Sequence, residues 1–154
     1  ALLMQLQRAW RVRADNLAVE TPAQALILAS IIEKESDASE DRRQISQVFH
    51  SRLKKNMKLQ TDPTVIYALG ENFDGDIRRR DLRVDSPFNT YRYKGLPPTP
   101  IALPSRASIE AAVNPADGDY LYFVARGDGT SQFSRTLEEH NAAVRRYQLS
   151  KGGS

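Results

Sequence analysis

The chain contains no cysteine, which removes disulfides, thiolate catalysis and cysteine-ligated zinc, and leaves either redox compartment open. Histidine is nearly as scarce. The 2 copies, His50 and His140, are too few and too far apart in sequence to form a metal cluster, so neither a metal nor a cofactor is expected. No apolar stretch approaches the ~18 residues needed to span a membrane. No basic, then apolar leader with a small-residue cleavage site opens the chain. There is no internal repeat and no low-complexity tract. The chain starts at Ala1 and ends in Lys151-Gly152-Gly153-Ser154, which reads as a fragment or a processed form.

What is present describes an ordinary globular domain. The 154 residues, 40% hydrophobic and 27% charged, can bury a real core and exclude a disordered or fibrous class. A net charge of +3 with a pI near 9.3 mildly favours an anionic partner, whether nucleic acid, an acidic lipid surface or an anionic polysaccharide. Nucleic acid is the weakest of these. The Lys and Arg residues are scattered, with Asp and Glu interleaved.

Residues 2 to 18 carry Leu3, Leu6, Trp10, Arg13 and Leu17 at helical spacing, an amphipathic pattern. Thr21-Pro22-Ala23-Gln24 opens a second helix with an N-cap Thr, Pro at the first helical position and Gln three after the cap. A third helix is expected from Ser39 or Glu40 to about Lys55. Thr61-Asp62-Pro63 starts a short one that stops at Gly70. Glu71 to Leu103 is dense in Gly, Pro, Asn and Asp and reads as a long loop region, which in a domain of this size points to function. Ser105 to Val113 is a short helix, Tyr120 to Ala125 and Ser131 to Ser134 a hairpin around Gly127-Asp128-Gly129, and Thr136 to Glu139 a further capping box. The expected class is α+β and mostly helical, with a small β-hairpin or sheet. The expected organisation is a single domain over 1–154, with a leading helix at 1–20, a core at 21–149 and a tail at 150–154.

The stretch "ASIIEKES" places two carboxylates beside a run of aliphatic residues. At about 100° per residue, Glu35 falls over the stripe of Leu28, Ile31 and Ile32, and Glu33 points roughly 160° away. Two readings of Glu35 follow. Either the helix ends there, with Glu35 at the rim or paired with Arg42, Arg43 or Arg52, or Glu35 is a general acid that desolvation keeps protonated. Gln60, Thr61, Asp62, Asn89, Thr90, Tyr91 and Tyr93 supply the neutral hydrogen-bonding and stacking groups that hold sugars, although Thr61, Asp62 and Asn89 also suit cap or turn roles.

The segments "LASIIEKES", "RLKKNMKLQTDPTVIYALG", "SPFNTYRYKGLPPTPI", "YLYFVARGDG" and "FSRTLEEHN" resemble, in order and spacing, the catalytic domain of the endolytic murein transglycosylase (YceG-like) family over about residues 20 to 147. The resemblance implies a lysozyme/transglycosylase-like domain of a bacterial enzyme that cuts peptidoglycan glycan strands internally. It implies Glu35 as the catalytic acid and Ser36, Gln60, Thr61, Asp62, Asn89, Thr90 and Tyr91 as substrate-binding residues, with Glu33 in a structural role. It also implies a location at the inner membrane through an anchor absent from this chain, a periplasmic or extracytoplasmic catalytic domain, and peptidoglycan synthases as partners. Two positions depart from the family's usual pattern: Phe88 stands where Tyr is common and Thr99 where Gly is common. The rival reading is a non-catalytic peptidoglycan-binding module in which Glu35 only orders the groove.

Overall fold

The computed structural model describes residues 1–36 and 39–152. Six α-helices run in chain order as α1 (Leu2–Arg11), α2 (Pro22–Glu35), α3 (Arg42–Lys54), α4 (Asp62–Leu69), α5 (Arg106–Val113) and α6 (Leu137–Gly152). Between α5 and α6 lie strands β1 (Tyr122–Ala125) and β2 (Ser131–Ser134), which pair antiparallel with Tyr122 opposite Ser134 and Ala125 opposite Ser131. The α+β, mostly helical class is therefore as expected.

Helix α2 is the centre. Thr21 caps it by accepting from the Gln24 N–H at 3.2 Å, and the Gln24 side chain reaches back to the Glu20 N–H at 2.7 Å. Ala25, Leu28, Ala29, Ile31 and Ile32 are all fully buried, so the middle of the helix is enclosed, while Ala23 and Lys34 near its ends are exposed. Leu6 and Ala9 of α1, Ile45 and Phe49 of α3, and Ile109, Ala112 and Val113 of α5 complete the core around it. Even its one buried hydroxyl is used: Ser30 accepts from the Ile101 N–H at 3.0 Å and so pins the end of the long loop to the core.

Three boundaries differ from the sequence expectation. Helix α1 stops at Arg11, not near residue 18. Asn16 adopts a left-handed φ of 61° and the Ala14 N–H bonds to the Val113 carbonyl, so the chain turns back onto α5. The third helix begins as a 3-10 turn at Ser39–Asp41 before α3 proper. Helix α6 continues through 150–152, where a tail was expected; Gly153 and Ser154 of that tail lie outside the described residues. The expected loop region between α4 and α5 carries only two 3-10 turns, Gly70–Asn72 and Asp81–Arg83.

The hairpin is fastened to α3. Gln47 donates to the Tyr120 carbonyl at 3.0 Å, Arg52 Nε to the Leu121 carbonyl at 2.7 Å, and the Phe49 and Phe123 rings meet edge to face at 5.9 Å. The Asp41 carboxylate accepts from the Ser131 N–H at 2.9 Å. These contacts hold a two-stranded sheet that would be marginal by itself.

His50 ties three elements. Its Nδ1 accepts from the Ala18 N–H at 3.0 Å while Nε2 faces the Ala112 carbonyl at 2.8 Å, which fixes a neutral ring with the proton on Nε2. Burial holds its pKa below the ordinary 6.5. The unfolded chain thus takes up the proton first, so this stabilisation is complete above about pH 6.5 and is lost as the pH falls below it. In chemical denaturation at pH 7.5 and 5.5, His50→Gln is expected to be less stable than wild type at the higher pH and to lose less on acidification. An equal loss in both proteins would refute this role.

Candidate active site

Helix α2 ends where Ser36 turns extended (φ −94°, ψ 115°), its N–H still bonded to the Ile32 carbonyl. That termination leaves Glu35 half-buried on the wall of a groove of about 790 Å³. Val48, Phe49 and Arg52 of α3 form another wall, Tyr122 and Val124 of β1 and His140 and Asn141 of α6 a third, and Gln60, Asp62 and Tyr91 a fourth. A pocket of this size, lined by polar and apolar side chains together, suits a small ligand or a segment of a polymer.

The loop side of the groove is organised from behind. Gln60 holds a left-handed φ of 50° and its N–H bonds to the Thr90 carbonyl, which leaves the side chain exposed. Thr90 Oγ1 accepts from the Thr61 N–H at 3.0 Å and meets Thr64 Oγ1 at 2.8 Å. Asn89 has no exposed surface: its amide donates to the Leu82 and Val84 carbonyls at 3.0 and 2.8 Å, and its oxygen accepts from the Tyr91 N–H at 3.0 Å. Tyr91 is thereby aimed at Asp62, and its hydroxyl donates to the carboxylate at 2.5 Å. Burial and that carboxylate raise the Tyr91 pKa, and the charge of Glu35 adds to the effect, so the phenol stays a donor at any physiological pH.

Of the residues singled out in the sequence, Glu35, Gln60, Asp62 and Tyr91 come together on the groove. Thr61, Asn89 and Thr90 are buried behind it, and Ser36 sits at the helix end outside the lining. Glu33 lies on the other face of α2. It accepts from the Ser105 N–H and the Ser108 hydroxyl, both at 2.8 Å, and so caps the start of α5. The Ser105 N–H leads the causes that lower its pKa, with Arg42 a smaller one. Arg43 donates to the Asn114 and Pro115 carbonyls, and Arg52 to those of Leu121 and Lys58. Phe88 packs on the Tyr67 ring at 4.9 Å. Among the described residues, no three His, Asp or Glu side chains are grouped to hold a metal ion.

Arg52, Tyr122 and His140 also line the groove. The hairpin aromatic and the α6 histidine carry no local signature of a site. Their helical or strand spacing explains each of them, and only the docking of the hairpin on α3 and of α6 on the hairpin brings them together.

A model of the YceG-like family matches residues 2–146. The chain belongs to the YceG-like family. It is 50% identical over 126 residues to a protein of Bacillus subtilis named endolytic murein transglycosylase, covering 82% of this chain and 35% of that protein. It is 36% identical over 145 residues to one of the same name from Streptococcus pneumoniae, covering 91% of this chain and 26% of that protein. The chain thus spans about a third or less of the length of these curated relatives. The crystal structure of a yceG-like protein from Listeria monocytogenes superposes with a TM-score of 0.74 at 45% identity, over 91% of this chain and 42% of that one. The YceG-like match includes α2, the loop region, the hairpin and the first part of α6, and so contains nearly the whole groove lining.

The buried Asn89 gives a direct test of loop organisation. Asn89→Ala strips two backbone carbonyls of their donors and is expected to cost about 1–3 kcal/mol in urea unfolding. A variant as stable as wild type, yet deficient in ligand binding, would instead assign Asn89 to the ligand.

Proposed function

We propose that this domain is an endolytic peptidoglycan lytic transglycosylase and that Glu35 is its general acid and base. The observation that carries the reading is the placement of Glu35: a half-buried carboxylate at the end of a helix whose middle is fully buried, opening onto a polar-lined groove beside Gln60, Asp62 and Tyr91. The names of the relatives, at 50% and 36% identity over most of this chain, support the substrate class.

The chemistry needs one carboxyl group in two protonation states. Glu35 donates its proton to the oxygen that bridges N-acetylmuramic acid to N-acetylglucosamine, and the bond from that oxygen to the muramoyl C1 breaks. The muramoyl 6-hydroxyl oxygen then bonds to C1 as its proton passes to the Glu35 carboxylate. The proton count closes, no water is consumed and the product carries a 1,6-anhydromuramoyl end. A hydrolase instead needs a second carboxylate to serve as nucleophile or to activate water. Asp62 shares the groove, but its carboxylate accepts the Tyr91 hydroxyl, an arrangement suited to binding and positioning. In this reading Gln60, Asp62 and Tyr91 face the glycan, while Ser36, Thr61, Asn89 and Thr90 hold the loop and helix end that present them.

The reading extends to the setting. Peptidoglycan lies outside the cytoplasmic membrane, so the domain acts in the periplasmic or extracytoplasmic space of a bacterium. A membrane anchor elsewhere in the full-length protein would hold it near the inner membrane and the peptidoglycan synthases. No helix among the described residues is long and apolar enough to cross a membrane.

Purified sacculi incubated with the domain, with fragments weighed by mass spectrometry, test the reaction. Anhydromuramoyl ends are expected from wild type, and Glu35→Gln is expected to lower their rate by at least about 10²-fold. Ordinary reducing ends would establish hydrolysis, undiminished cleavage by Glu35→Gln would exclude Glu35, and sacculus binding without cleavage would favour a binding module.

A further inference from the structure

Arg52 is a cation in an unusual setting. It is 7% exposed, yet among the described residues no carboxylate lies within ion-pairing distance of it. Two backbone carbonyls take its Nε and Nη1, those of Leu121 at 2.7 Å and Lys58 at 2.8 Å. Neutral carbonyls satisfy donors but leave the charge uncompensated, and a desolvated charge without a counter-ion attracts one strongly. Among the described residues Nη2 makes no protein hydrogen bond, and Arg52 lines the groove.

The surroundings of Arg52 are equally incomplete. Its guanidinium carbon lies 4.9 Å from the centre of the Tyr122 ring, and the His140 ring stacks on Tyr122 at 5.0 Å with an interplanar angle of 22°. His140 Nδ1 is buried without a hydrogen-bond partner. Burial, and secondarily the charge of Arg52, lowers the His140 pKa, so no second cation fills the gap in the free protein. Glu35 and Asp62 come from α2 and α4; Arg52, Tyr122 and His140 come from α3, β1 and α6. On the wall built by α3, β1 and α6, the guanidinium has only neutral carbonyl partners and the imidazole Nδ1 beside the Tyr122 ring has none.

We propose that Arg52, with His140 and the Tyr122 ring between elements α3 and α6, forms a carboxylate-binding subsite of the groove that recognises an acidic group of the peptide carried on the glycan strand. The proposal rests on the peptidoglycan reading above and names the part of that substrate it recognises. A carboxylate meets both deficits, because a charge-assisted bond from Nη2 neutralises the guanidinium and the second oxygen offers an acceptor to the imidazole. The subsite makes the domain selective for strands that bear peptides over bare glycan.

Binding of muramoyl-peptide oligosaccharides to Glu35→Gln, measured by calorimetry, tests this with ligand chemistry alone. One ligand has free peptide carboxylates and the other the same carboxylates amidated. The free acids are expected to bind about tenfold more tightly, with the gap shrinking as salt rises. Arg52→Gln, checked for folding by circular dichroism, is expected to abolish the gap, and His140→Phe, which keeps the stacking, to narrow it. Equal affinity for the two ligands, or binding of neither, overturns the subsite whether or not Arg52→Gln folds. The sacculus assay separates the two claims. Anhydro ends without discrimination between the ligands sink the subsite alone, whereas discrimination without any cleavage sinks the catalytic reading and leaves the subsite standing.

Discussion

The structure depends on a helix whose middle, Leu28 to Ile32, has no exposed surface. Five aliphatic side chains of α2 are fully buried, and the helices around it contribute Leu6, Ile45, Phe49, Ile109 and Val113 to the same core. At roughly 1.5–3 kcal/mol for each large aliphatic side chain removed from water, this one element accounts for a major part of the driving force for folding. It also has a geometric consequence. Anything placed at its C-terminal end is held by a rigid, close-packed rod, and that is where Glu35 stands.

The two glutamates of the helix show how the same residue type takes different work from its surroundings. Glu33 meets the N-terminus of α5, where the Ser105 N–H and Ser108 hydroxyl hold it as an anion, and it joins two helices. Glu35, two residues on, meets a groove. Across that groove the loop after α4 presents Tyr91 on Asp62, and the orientation of Tyr91 comes from a buried Asn89 that never reaches the surface. The site is thus a thin polar layer over a structural one, in which Asn89 and Thr90 are held by buried hydrogen bonds.

The hairpin and α6 close the groove on the remaining side. Their attachment to α3 runs through Gln47, Arg52 and the edge-to-face pair Phe49 and Phe123. Arg52 serves two ends here: its Nε holds the Leu121 carbonyl before the hairpin and its Nη1 the Lys58 carbonyl after α3, and the side chain lines the groove. A residue that holds the wall in place is therefore also able to sense what enters.

The sequence by itself determined the helices with clear caps, the hairpin with its glycine turn, and the placement of Glu33 and Glu35 on different faces of α2, because caps, turns and helical phase act over a few residues. It also marked Asp62 and Tyr91. It did not separate the polar residues that face the groove from those that support it: Thr61, Asn89 and Thr90 have the same chemistry as a sugar-binding residue, and only burial distinguishes them. The early end of α1 follows from a contact with a distant element, the Ala14 bond to Val113. The assembly of Arg52, Tyr122 and His140 was the decision of tertiary structure alone, since three residues on three elements share no local pattern until packing on α3 removes the water between them.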